Sequence, residues 1–95
     1  MAVDTISNFI AAVNAVSPAS KNVYVCGTQD SNGEITISKN GAAFMKVFYS
    51  SNPNWGAATD ANPKGAGVLV RGGQAGVDSS RYFDAQGFVN MLAAN

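Results

Sequence analysis

The side chains that most often carry acid–base and metal chemistry are scarce in this sequence. Histidine is absent and Cys26 is the only cysteine. The commonest general base, metal ligand and physiological-pH switch is therefore missing. Neither a serine–histidine nor a cysteine–histidine nucleophile pair can be assembled. A zinc ion would have to be held by Cys26 and carboxylates alone, an unfavourable ligand set, so no metal site and no cofactor are expected.

Six acids remain: Asp4, Asp30, Glu34, Asp60, Asp78 and Asp84. Asp4 and Asp84 are placed to cap helices, and Asp30 with Glu34 flanks a hairpin turn, where acids need no catalytic explanation. No spacing pairs Asp60 with Asp78. Cys26 is expected on a strand as a small, inert thiol, because a reactive one needs an electropositive neighbour.

The segment GAGVLVRGGQAG invites a phosphate-binding reading and fails it. Val70 stands where the third glycine of G-x-G-x-x-G belongs, and a strand follows instead of a helix. The GQAG at 73–76 matches a G-x-x-G clamp loop, yet its flanks read as strands, whereas that loop joins helices. Turn glycines explain the segment better, although Arg71 beside Gly72 and Gly73 makes a weak anion-binding candidate. A non-enzymatic protein is expected.

Aromatic and basic residues are the remaining candidates for function. Tyr24, Phe44, Lys46 and Phe48 alternate along two predicted strands, and Trp55 lies in the long segment that follows. Tyr, Trp and Phe are enriched at protein interfaces, and Trp55 suits the role of an anchor. The same residues with Lys46 and Arg71 could instead stack and neutralise a single nucleic-acid strand or hold a small anion. A third arrangement folds residues 50–66 back over this face as a second small core.

These residues must be positioned by elements that the patterning predicts. Ile6, Phe9, Ile10 and Val13 recur at helical spacing, Val16 continues the stripe, Asp4 or Thr5 caps the start and Ser17-Pro18 ends it. Asn8 and Asn14 fall off the stripe, towards water. Strands are expected near 22–29, 34–38 and 42–50, with turns at Ser31-Asn32-Gly33 and Lys39-Asn40-Gly41. Turn length decides which face is buried, since a one-residue slip exchanges the faces. Two-residue turns would put Tyr24, Cys26, Phe44 and Lys46 with Ile35 and Ile37. Three-residue turns gather Val23, Val25, Ile35, Ile37, Ala43, Met45, Val47 and Tyr49 on a face without charge, and that register is preferred. It leaves Tyr24, Cys26, Glu34, Thr36, Ser38, Phe44, Lys46 and Phe48 on the outer face.

Residues 50–66 show no period, and a structureless loop beyond ~12–15 residues tends to be functional. Strands follow near 68–71 and 77–83. A last helix is capped by Asp84, with Phe83 and Phe88 placed as a hydrophobic staple. The expected fold is α+β, in the order α-β-β-β-loop-β-β-α: an antiparallel sheet of about five strands with both helices on one face.

Size and composition set the frame for function. Ninety-five residues suffice for one domain with a real core, and 46% are apolar. Only 13% are charged, six basic against six acidic, about half of the ~25% usual in soluble domains. A duplex-DNA binder would carry a basic excess, so that partner is not expected. A neutral surface rich in Asn, Ser, Thr and Gln repels other chains little and desolvates cheaply. The expectation is a protein-interaction or assembly subunit with a protein partner or a second copy, of the kind found among small viral structural or accessory proteins. A lone cysteine excludes an internal disulfide. The N-terminal segment reads as neither a signal peptide nor a span, which needs ~20 apolar residues. No membrane association is expected, and the setting is cytoplasmic, or the virion or host cell for a viral protein.

Overall fold

The computed structural model describes residues 3–51, 67–71 and 81–95, with the side chains of Arg71, Arg81 and Tyr82 left aside. Helix α1 spans Ile6–Asn14, strands β1 to β5 span Tyr24–Cys26, Glu34–Lys39, Ala42–Ser50, Gly67–Arg71 and Arg81–Asp84, and helix α2 spans Ala85–Ala94. The five strands form one antiparallel sheet in the order β1-β2-β3-β4-β5. The layout is the expected α+β one.

Both helices begin where their capping residues dictate. Thr5 is the N-cap of α1, its Oγ1 accepting the Asn8 N–H at 3.1 Å. Asp84 caps α2 by accepting the Gly87 N–H at 3.2 Å. The staple forms as well: the Phe83 and Phe88 rings meet edge-on, 5.7 Å apart. Phe9 and Val13 of α1 and Phe88 and Leu92 of α2 are fully buried. Phe9 links the layers, stacking on Tyr49 of β3 at 5.0 Å and meeting Phe88 at 5.9 Å. Each such buried side chain contributes about 1.5–3 kcal/mol.

The sheet buries Ile35, Ile37, Met45, Val47, Val68 and Val70, together with Tyr24 and Cys26. The preferred facing is therefore right for β2 and for Met45 and Val47 of β3, though not the pairing between these strands, and it is wrong for β1. The first turn is the expected three-residue one. Gly33 has φ +81° and its N–H donates to the Asp30 carbonyl, while the Asp30 N–H donates to the Glu34 carbonyl. Beyond that turn the ladder slips. The Gly27 N–H donates to the Thr36 carbonyl, and Cys26 pairs with Ile37 and Tyr24 with Lys39. That one-residue offset across Thr28 and Gln29 turns Tyr24 and Cys26 inward and leaves Val23 and Val25 outside.

The second turn corrects the expectation in a different way. Asn40 and Gly41 have φ +54° and +86°, and Lys39 pairs with Ala42: this is a two-residue turn. Alone it would have moved Ile37 and Met45 to opposite faces. A β-bulge between Ile37/Ser38 and their partners restores the alignment, so that Ile37 pairs with Met45 and Ser38 with Ala43. Phe44 is the extra residue. Ala43, expected in the core, is exposed.

Candidate functional site

The predicted aromatic patch does not exist as one surface. Tyr24 is buried, and its hydroxyl donates to the Asn95 carbonyl at 3.3 Å. Phe44, bent by the bulge, packs against the core, its ring 6.1 Å from that of Tyr24. The physical reason is the slip and the bulge just described. Each shifts one strand by one residue, and each exchanges an aromatic ring between faces. Above Phe44 lies the Lys39 ammonium, 4.9 Å from the ring centroid, a cation–π contact that closes this corner of the core.

Lys46 and Phe48 stay on the opposite face, as expected. Lys46 is exposed, with Thr36 and Arg71 as its Cα partners on either side; Phe48 is half-buried between Glu34 and Leu69. Arg71 is thus placed opposite Lys46 by its backbone. Trp55, Gly72 and Gly73 lie outside the described residues, as does any cover that residues 52–66 supply.

The face opposite the helices is built from three cross-strand rows. Val25, Ser38 and Ala43 form one, Thr36 and Lys46 lie in the next with Arg71, and Glu34, Phe48 and Leu69 form the third. Val23 and Val25 are 59% and 51% exposed, the large apolar side chains that the described residues leave in solvent. Sequence reasoning missed them because it placed both in the core. No local signal in the sequence marks the one-residue slip at Thr28-Gln29 that turns them outward.

Electrostatics and hydrogen bonding elsewhere are those of a structural framework. Asp30 Oδ1 accepts the N–H groups of Asn32 at 2.8 Å and Glu34 at 2.9 Å, and those bonds hold its carboxyl below the usual value. Burial pushes the Cys26 thiol up to about 11, and its Sγ donates to the Gly27 carbonyl. A thiol held neutral in this way is a poor nucleophile. Among the described residues no group of three His, Cys, Asp or Glu side chains converges to hold a metal ion, and no helix is long and apolar enough to cross a membrane.

Asn14, expected to point idly into water, has a partner. Its Oδ1 accepts the Cys26 N–H at 2.8 Å. A second polar cluster ties distant segments together. Asn40 Oδ1 accepts the Val23 N–H, Asn40 Nδ2 donates to Asn22 Oδ1, and the Asn95 carbonyl accepts from Ser20 Oγ and Asn22 Nδ2. Comparison of the chain with protein-family models, curated proteins and solved structures finds no match.

Proposed function

We propose that this protein is a non-enzymatic interaction or assembly subunit, a small structural or accessory protein that docks through the sheet face opposite its helices. One observation carries the reading. The helices cover one side of the sheet, while Val23 and Val25 stand largely in solvent on the other side, beside exposed Thr36 and Lys46. Apolar side chains rimmed by polar, weakly charged ones suit a protein partner, because they desolvate at little cost. The neutral net charge adds no repulsion between copies. Lys46 then lies in the row next to Val25, and Phe48 one row further along the same face.

Sedimentation velocity across a concentration series tests this. The wild-type chain is expected to associate, and a Val23→Asp, Val25→Asp double variant to sediment as a folded monomer. Wild-type and variant chains that are both monomeric at every concentration exclude the self-assembling form. Unimpaired association of the folded variant excludes this face.

Binding of single-stranded nucleic acid or a small anion is the alternative, and it draws on Lys46 and Arg71 being Cα partners across β3 and β4. It has lost the stacking platform that Tyr24 and Phe44 would have supplied. Tyrosine and tryptophan emission that stays constant on adding oligonucleotide at low salt excludes it.

A further inference from the structure

The dipeptide Asn-Gly occurs twice in the described residues, at Asn32-Gly33 and Asn40-Gly41, each in an exposed hairpin turn. In such a pair the glycine nitrogen attacks the preceding carboxamide with least obstruction, because glycine carries no Cβ. The intrinsic reactivity is therefore the same at both positions. Their surroundings are not.

Asn40 is held at three points. Its Oδ1 accepts the Val23 N–H at 2.8 Å, its Nδ2 donates to Asn22 Oδ1 at 3.1 Å, and its own N–H donates to the Val23 carbonyl at 2.8 Å. The carboxamide cannot swing towards Gly41 until these bonds open together. Asn32 is exposed, and among the described residues no hydrogen bond restrains its carboxamide; its backbone N–H is engaged by Asp30 Oδ1 at 2.8 Å. The Gly33 nitrogen is held by one bond, to the Asp30 carbonyl at 3.0 Å, in a surface turn where local opening costs little.

We propose that Asn32 is a spontaneous deamidation site of the folded protein and that Asn40, its chemical equal, is protected by the fold. In the reaction the Gly33 nitrogen bonds to Asn32 Cγ, the Cγ–Nδ2 bond breaks, and ammonia leaves with the proton from Gly33. Water then opens the five-membered imide at either carbonyl, giving aspartate or isoaspartate. Either product adds one negative charge to a chain of zero net charge, next to Asp30 and Glu34. Isoaspartate also lengthens the backbone of the turn that joins β1 to β2.

Incubating the native protein at mildly alkaline pH, followed by tryptic peptide mass spectrometry, tests the assignment; Lys39 separates the two sites onto different peptides. Conversion at Asn32 is expected to be roughly thirtyfold faster than at Asn40, the factor given by two further hydrogen bonds to break at about 1 kcal/mol each. In urea the two rates should converge, which shows that the difference belongs to the fold. A folded Asn22→Ala variant should speed conversion at Asn40 and leave Asn32 unchanged. Equal native rates, faster conversion at Asn40, or an Asn32 that stays intact while both convert in urea would each overturn the proposal.

Discussion

Cys26 and Asp30 show how single residues here serve the fold. Burial raises the Cys26 thiol from 9.0 to about 11, so the folded chain holds its proton where the unfolded chain has lost it. The contribution to stability is complete below pH 9.0 and declines as pH rises towards 11. Tyr49 acts in the same sense: burial raises its phenol, as does nearby Asp4, and its hydroxyl donates to the Val3 carbonyl at 2.6 Å. Native protein should therefore resist iodoacetamide at pH 8 and become reactive on unfolding; rapid labelling of the folded chain would contradict the inert reading. Asp30 has the opposite sign. Its lowered pKa means that the stabilisation is present above the usual value of 3.8 and is lost as pH falls through the folded one. Asp30→Ala should lower the melting temperature at neutral pH more than Asp30→Asn, whose side-chain oxygen still accepts from Asn32 and Glu34. The loss of each variant relative to wild type should narrow in acid, where Asp30 itself becomes protonated.

At the scale of elements, the junction of α1 with β1 depends on Asn14. Val25 and Gly27 direct their backbone groups towards β2, so the Cys26 N–H points out of the sheet edge. Asn14 Oδ1 satisfies it in place of a sixth strand, and an edge donor so occupied is no template for another chain. Asn14→Ala should cost about 1–3 kcal/mol by leaving that donor unsatisfied, measured by urea denaturation. Asn14→Asp keeps an acceptor and should retain most of the stability. An alanine variant as stable as wild type would show that water reaches this edge. The β2–β3 hairpin gives a second lesson. A two-residue turn and a bulge together do what a three-residue turn would have done for Ile37 and Met45, so the same facing pattern arises from a different backbone. The helices were legible because capping and staple rules act within five residues, as at Thr5–Asn8 and Phe83–Phe88.

For the whole molecule, the sheet divides two populations of side chain with opposite expected responses to substitution. On the helix side Phe88 is fully buried and contacts both Phe9 and Phe83. Phe88→Ala should cost about 3–5 kcal/mol in equilibrium unfolding, a large share of the stability of a domain this size. On the other side the Val23→Asp, Val25→Asp pair should change stability little, because both side chains are already mostly in water. The contrast separates folding from docking: loss of association without loss of stability is the signature of an interface.

The sequence determined the element order, the Asp84 cap of α2 and the aliphatic stripe of β2 and β3, because each rests on neighbours in the chain or on a strict period; it left the α1 cap between Asp4 and Thr5. It also removed histidine-based catalysis, since composition cannot be altered by folding. Only the tertiary structure decided which face receives Tyr24, Cys26, Phe44, Val23 and Val25. That outcome hangs on a one-residue slip after Gly27 and a bulge at Phe44, and neither leaves a local mark, because both are set by how β1 and β3 meet β2. The candidate residues that the sequence offers thus sort differently in three dimensions. Cys26 and Tyr24 became core, Lys46 and Phe48 stayed on the face opposite the helices, and two valines taken for core now mark the surface proposed to bind.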